Sequence, residues 1–152
     1  MKKVQLKNNG QFTIRDLDYF GGKYSFLQRL KMDGVGSSKV IYISGIPYFD
    51  ELSHFIENET PYVNFELMKN GLLVRLNRNQ KTRIIGFQLH EILDVELKTN
   101  IRVDENASYR LIIKTLYDDL IQLKVLIQNV KAIRRFFSKS VFEEKFQISF
   151  TD

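Results

Sequence analysis

The sequence contains no cysteine, no tryptophan, two prolines and two histidines among 152 residues. The lack of cysteine excludes disulfide bonds, thiolate metal ligands and thiol nucleophiles, and it fits a reducing compartment. No apolar run approaches the roughly 18 residues that a membrane-spanning helix needs. The basic residues at the start are not followed by the apolar stretch of a signal peptide. We therefore expect a cytoplasmic protein.

The composition is that of an ordinary globular protein, with 43% hydrophobic and 27% charged residues. Twelve phenylalanines and seven tyrosines supply ample core material. A chain of this size forms one domain, or one domain with an extension, and buries about 68–70% of its unfolded surface. We expect an amino-terminal extension over residues 1–61, a main domain over 62–146 and a tail over 147–152.

A β-hairpin is predicted around Asn70-Gly71, the preferred centre of a type I′ turn. If these are the two loop residues, Phe65 lies opposite Leu76 and Leu67 lies opposite Val74 on one face. On the other face Glu66 meets Arg75 and Asn64 meets Asn77, so that acid pairs with base.

Further strands follow, and a helix closes the chain. Strands are predicted over residues 82–87, 93–97, 109–117 and 120–127, with a turn at Asp118-Asp119. The helix is predicted to begin near Asn129 as its N-cap. Its apolar stripe, which we expect to pack on the sheet, consists of Val130, Ile133, Phe137 and Val141.

The first 60 residues give weaker signals. Val4–Leu6 and Gln11–Ile14 flank Asn8-Asn9-Gly10, which predicts a second hairpin. A strand is predicted over residues 39–44, and a short helix over residues 47–56 with Pro47 in its first turn. The glycine-rich stretch beginning at Asp33 lacks the Lys-Ser/Thr of a phosphate-binding loop, so we interpret it as a plain loop.

Two basic clusters contain no acidic residue. The first, which we call the hairpin cluster, consists of Lys69, Arg75, Arg78, Lys81 and Arg83; the second consists of Lys131, Arg134, Arg135 and Lys139. Either could attract phosphates or anionic lipid, although a solvated surface is the commoner role of such clusters.

The segment from Glu66 to Leu97 resembles bacterial pleckstrin-homology-like domains. The resemblance rests on Gly71-Leu-Leu-Val-Arg-Leu, Ile84-Ile85 and the stretch from Leu89 to Leu97, and it covers about 85 residues. It implies a mainly β fold with helices (α+β): a partly open antiparallel barrel or sandwich of seven strands, capped by a carboxyl-terminal amphipathic helix. Six strands follow Tyr62, so the strand at 39–44 is a candidate for the seventh.

Relatives bind anionic ligands at one open end of the barrel, and the resemblance makes the hairpin cluster the candidate binding patch. The phosphoinositide signature of the family is incomplete, because Asn77 stands where its final arginine should be. The family's tryptophan in the closing helix is also missing, so Phe136 or Phe137 has to fill its place. Binding to a scaffold or protein partner is therefore the family-level expectation.

Catalytic patterns are lacking. His54 and His90 lie 36 positions apart without zinc-ligand spacing, and no Gly-x-Ser-x-Gly nucleophile motif occurs. We therefore predict a non-enzymatic module without metal or cofactor that binds a protein or peptide partner. Weak peripheral binding to anionic membrane through the hairpin cluster is the first alternative. Nucleic-acid binding is the second, and homo-oligomers are compatible with the sequence.

Overall fold

A computed structural model describes residues 1–52, 59–78, 81–99, 108–143 and 145–151 of the chain. In these residues the protein is mainly β with short helices, and it forms a nine-stranded sheet. The strands are β1 (Lys2–Val4), β2 (Val40–Ser44), β3 (Tyr62–Met68), β4 (Gly71–Arg78), β5 (Lys81–Gln88), β6 (Ile92–Thr99), β7 (Ser108–Thr115), β8 (Leu120–Leu126) and β9 (Gln147–Thr151). The helices are α1 (Ile14–Tyr19), α2 (Phe26–Lys31), α3 (Pro47–Asp50) and α4 (Val130–Phe137), with 3₁₀ turns at Leu89–Glu91, Ile127–Asn129 and Ser140–Phe142.

The sheet wraps around one core without closing. Its strand order is β1-β5-β4-β3-β2-β8-β7-β6-β9, so within the described residues β1 and β9 stand at its two open ends. Neighbouring strands are antiparallel except β6 and β9, which are parallel. Phe87 of β5 and Val95 of β6, from opposite halves of the sheet, belong to one buried cluster with Phe137 of α4. The predicted mainly β fold with a helix after the last hairpin is confirmed.

Both sides of residue 61 build this sheet. The strand predicted at 39–44 is confirmed as β2, which lies between β3 and β8 in the middle of the sheet. The six strands predicted after Tyr62 are β3 to β8. The expected tail at 147–152 is instead strand β9 through Thr151, where Ile148 and Phe150 extend the apolar face of β6.

The β3–β4 hairpin forms, but the predicted register is wrong by two residues. Met68 pairs with Gly71 and Phe65 pairs with Val74, so the loop residues are Lys69 and Asn70. Neither Asn70 nor Gly71 has a positive φ, which excludes the type I′ turn. A slip of two residues keeps every side chain on its predicted face.

Packing explains the glycine at position 71. A Cβ atom there would lie 2.7 Å from Cδ1 of Phe20, and one at Gly86 would lie 2.1 Å from its Cζ. The loop is held by tertiary hydrogen bonds, because the Asn70 N–H donates to the carbonyl of Phe20 (2.8 Å). Phe20 is fully buried within a second apolar cluster, in which residues 4–20 cover the outer face of β3, β4 and β5.

The hairpin predicted around Asn8-Asn9-Gly10 is wrong. The turn exists, closed by the Gly10 N–H donating to the Lys7 carbonyl at 2.8 Å, but β1 pairs with β5 instead of residues 11–14. Residue 14 begins α1, because the Thr13 hydroxyl accepts from the Asp16 N–H (3.2 Å) as an N-cap.

The predicted short helix begins at Pro47, and α3 extends to Asp50; residues 53–56 of that prediction lie outside the described residues. Helix α4 begins at Val130, as predicted. The Asn129 side chain does not cap it, however, since its amide donates to the Lys39 carbonyl at 3.1 Å. The helix ends at Phe137, and Val141 reaches the core from the following 3₁₀ turn.

Candidate interaction surfaces

The residues of the hairpin cluster are distributed over both ends of β4. Lys69 is exposed in the β3–β4 turn, whereas Arg78 and Lys81 are register partners at the other end of β4. Seven residue steps at about 3.3 Å each place these two ends about 23 Å apart. The side chains of Arg78 and Lys81 lie outside the described part of the structure.

Arg75 is held by an ion pair. Its Nη2 and Nε donate to Oε2 of Glu66 at 2.6 and 2.9 Å, and its guanidinium lies 5.7 Å from the ring centre of Phe12. The prediction that Glu66 lies opposite Arg75 is wrong, because Glu66 pairs with Leu73. The two side chains still form an ion pair as diagonal neighbours. Asn77 likewise donates to Asn64 at 2.8 Å. This part of β4 has its charge largely neutralised.

Arg83 is held by helix α3. Its Nη1 donates to the carbonyl of Tyr48 at 2.7 Å and lies 3.2 Å from Oε2 of Glu51. The guanidinium also stacks 4.4 Å from the Tyr48 ring centre. These contacts give Arg83 a role in fixing α3 against β5, and they reduce its availability for an anionic ligand.

The second basic cluster lies on and after α4, next to α2. The Lys139 ammonium donates to the Met32 carbonyl, and Nη1 of Arg135 lies 3.9 Å from Oδ2 of Asp33. Arg134 stacks 5.7 Å from the ring centre of Phe150 in β9. The cluster thus links α4 to two elements whose positions the sequence did not predict.

Glu91 is a buried carboxylate that the sequence analysis missed. Its Oε1 accepts from the Met1 ammonium (2.7 Å) and the Tyr117 hydroxyl (2.7 Å), and its Oε2 accepts from the Gln88 N–H (2.7 Å). Burial alone raises the pKa of Glu91, but these hydrogen bonds outweigh it and leave the pKa lowered. Every oxygen is thus occupied within the protein, and we interpret the group as a structural tie.

Tyr42 forms a second buried polar centre. Its hydroxyl accepts from the Ile46 N–H (2.7 Å) and donates to Oδ1 of Asp50 (2.6 Å). Burial first, and then the bond to Asp50, raises the pKa of Tyr42. The centre fixes the chain between β2 and α3.

An acidic groove lies beside the last strand. This cavity of about 560 Å³ is lined by Asp94, Glu96, Glu143 and residues 146–149. Asp94 and Glu96 share the outward face of β6 with Gln147 and Ser149 of β9, their register partners. Lys98 neutralises part of this charge, with its Nζ 3.3 Å from Oε1 of Glu96.

Comparison with protein-family models, with curated proteins and with solved structures found no match for this chain. Within the described residues no cluster of three or more potential metal ligands occurs. No described helix is long and apolar enough to cross a membrane. His90 is exposed in the first 3₁₀ turn, and His54 lies outside the described residues.

Two signals in the sequence could have located the unexpected surfaces. The alternation of Ile148 and Phe150 in an uncharged stretch is typical of a short strand. Ser25 followed by Gln28 is the pattern of a capping box, and it predicts the start of α2. The position of Glu143 beside Asp94 depends on tertiary structure, and no local pattern signals it.

Proposed function

We propose that this protein is a non-enzymatic interaction module of pleckstrin-homology-like architecture. At its edge strand β9 it binds an extended peptide segment that contains basic residues. Strands β2 to β8 are seven in number and are followed by the closing helix α4, which supports the architecture. Phe136 and Phe137 are both buried, consistent with the role of the missing family tryptophan.

The observation that carries the proposal is the contrast between the two sheet edges. Edge strands need protection against pairing with other chains, and lysine supplies it. Strand β1 carries Lys2 and Lys3, whereas β9 (Gln147–Thr151) contains no charged residue and no proline. In the described part of the chain β9 ends the sheet, so its outer backbone groups are a template for an added strand.

The acidic groove determines the chemistry of the partner. Main-chain hydrogen bonds to an edge strand give affinity, and side chains at alternate positions give specificity. The groove runs along β9 and carries Asp94, Glu96 and Glu143, in a chain whose net charge is +5. A strand paired with β9 and carrying lysine or arginine at alternate positions meets these carboxylates. A second copy of β9 has no basic residue, so it cannot form ion pairs with these carboxylates.

Two weaker proposals follow from the basic residues. Peripheral binding to anionic membrane through the hairpin cluster loses support, because Arg75 and Arg83 are held in internal contacts. Binding of single-stranded nucleic acid by base stacking uses aromatic side chains interleaved with basic residues on one strand face. The pairings of Arg75 and Arg83 argue against a continuous phosphate-binding surface on β4 and β5.

A peptide-display selection on the full-length chain tests the proposal. We expect enrichment of short sequences in which lysine or arginine alternates with apolar residues. The Asp94→Asn/Glu96→Gln variant should bind a selected peptide about tenfold more weakly, since each half-exposed charge contributes up to about 1 kcal/mol. The same peptide N-methylated at alternate residues should not bind, because it cannot donate main-chain hydrogen bonds to β9.

The matched control is Asp18→Asn/Asp118→Asn, which removes the same charge from exposed positions away from the groove. It should leave the affinity unchanged within about twofold. If both double variants weakened peptide binding equally, the loss of affinity would come from the change in net charge and not from the groove. Selected peptides without basic residues, or full binding by the N-methylated peptide, would contradict the proposal.

A further inference from the structure

Helix α2 is a well-formed helix that buries nothing. The Ser25 hydroxyl accepts from the Gln28 N–H (3.2 Å), and the Gln28 side chain accepts from the Ser25 N–H (2.9 Å), which completes a capping box. Among the residues that the structure describes, none of the six in α2 is buried. The helix is therefore specified locally, and all six of its residues are exposed in the described structure.

The flanks of α2 are fixed to the body of the protein. Tyr24 and Met32, on either side of the helix, pack against the main core. The Lys69 N–H donates to the Gly22 carbonyl (3.0 Å), and the Leu67 N–H donates to the Val35 carbonyl (2.8 Å). The helix is thus held at both ends, and its exposure is a feature of the fold.

The exposed side of α2 is apolar. Phe26, Leu27 and Leu30 are 67, 68 and 63% exposed, and they lie within four positions of one another. Single exposed apolar residues are normal, but a contiguous set of large ones marks a contact surface. Phe26 and Leu30 also line an open cavity of about 410 Å³, together with Arg29, Asp33 and Gly34.

The rim of this surface is basic. The chain from Lys23 to Met32 contains Lys23, Arg29 and Lys31, all exposed, and no acidic residue. Lys139 and Arg135 of the second basic cluster lie next to this rim, where Lys139 donates to the Met32 carbonyl and Arg135 approaches Asp33. Asp33 is the single acidic residue that these contacts bring to the rim among the described residues.

We propose that the segment Lys23–Lys31 docks on the surface of an anionic lipid bilayer. Its apolar side chains enter the interface while the basic rim meets the headgroups. Binding of this kind scales with the inserted apolar area plus the attraction between basic residues and anionic lipid. This surface is built from elements other than β9, so the inference does not depend on the proposed peptide site.

Charge decides against the competing occupants. A two-fold dimer through α2 would bring the basic rims of two copies together, and like charges repel. A nucleic acid would leave Leu27 and Leu30 without a role, since phosphates and bases call for cations and aromatic rings. A bilayer satisfies the apolar and the basic residues together.

Vesicle binding tests the proposal with the full-length chain. Vesicles of phosphatidylcholine with about 30% phosphatidylserine should co-sediment the protein at about 0.1 M salt, and vesicles of phosphatidylcholine alone should not. The Leu27→Ser/Leu30→Ser variant should lose at least about tenfold in partitioning. Arg29→Gln should lose about fivefold.

The matched control is Leu93→Ser/Leu116→Ser, which makes the same chemical change at two exposed leucines outside α2. It should leave partitioning unchanged within about twofold. All variants should keep the wild-type unfolding midpoint, because the substituted side chains are exposed. An equal loss in the control would show non-specific adsorption and overturn the assignment to α2.

Fluorescence gives an independent readout, since the chain has no tryptophan. In a Leu27→Trp variant the emission should shift to shorter wavelength on phosphatidylserine vesicles, and brominated lipid should quench it. A Leu93→Trp variant should show neither change. Three results would overturn the proposal: an unquenched tryptophan at position 27, self-association that is abolished by the α2 double variant, and α2-dependent binding to single-stranded RNA without vesicle binding.

Discussion

Substitution of Gly86 by alanine probes the packing that fixes the β3–β4–β5 part of the sheet. A Cβ atom at this position would lie 2.1 Å from Cζ and 2.5 Å from Cε1 of Phe20. Non-bonded carbon atoms prefer separations of about 3.5–4.0 Å. The ring would therefore have to move by about 1.5 Å within a site where it is fully buried.

The expected loss of unfolding free energy follows from this displacement. Overpacking of a core typically costs about 1–3 kcal/mol, and complete loss of a phenylalanine ring costs about 3–5 kcal/mol. Because Phe20 cannot shift without disturbing its neighbours, we expect Gly86→Ala to lose about 3 kcal/mol. In a Phe20→Leu background the two clashing ring atoms are missing, and the same substitution should lose about 1 kcal/mol or less, a coupling of about 2 kcal/mol.

Urea denaturation, monitored by far-ultraviolet circular dichroism, measures these free energies. Gly36→Ala is the matched control, because a Cβ atom at Gly36 meets nothing within 4 Å and its φ is not positive. It should change stability by no more than about 0.5 kcal/mol. An equal loss from Gly86→Ala in both backgrounds would refute the argument that Phe20 requires the glycine.

Three further substitutions test other parts of the structure. Phe137→Ala should lose about 3–5 kcal/mol in urea denaturation, since its ring is fully buried beneath α4; a loss below about 1 kcal/mol would show that α4 does not cover the core. Tyr42→Phe should lose about 1–3 kcal/mol because it leaves the buried Ile46 N–H unpaired, and an unchanged midpoint would contradict this. Glu91 has a lowered pKa, so it contributes stability that is present above its ordinary value of 4.5 and lost as the pH falls below it. Urea denaturation at successive pH values measures this contribution. Below pH 4.5 the stability of Glu91→Gln should depend less on pH than that of the wild type. Parallel profiles of the two proteins would exclude a stabilising role for the Glu91 carboxylate.

Local sequence patterns predicted the strands that lie within the sheet. Strand β6 was predicted because Leu93, Val95 and Leu97 alternate with charged residues, and strand β2 because four of its five residues favour extended backbone. The local pattern also predicted where α4 begins and which side chains of β3 face the core. These features depend on neighbours in the chain, which a single sequence displays.

The sequence did not predict features that depend on contacts between residues far apart in the chain. The register of β3 on β4 differs from the one that the Asn70-Gly71 turn signal predicts. Gly71 instead packs closely against Phe20, which lies 51 positions earlier in the chain. The hairpin cluster looked like one patch because its members are close in sequence, yet β4 separates Lys69 from Arg78. The groove beside β9 requires Glu143 to meet Asp94, which only the tertiary fold brings about.

A nuclear magnetic resonance titration of the ¹⁵N-labelled chain with a selected basic peptide tests the central claim most directly. If the peptide adds a strand to the sheet, the amide signals that shift should belong to β9 and to the adjoining residues of β6 around Asp94 and Glu96. The signals of β1 and α2 should stay unchanged. Shifts confined to β1, to α2 or to the β4–β5 hairpin, with β9 unaffected, would contradict the claim that β9 is the binding edge.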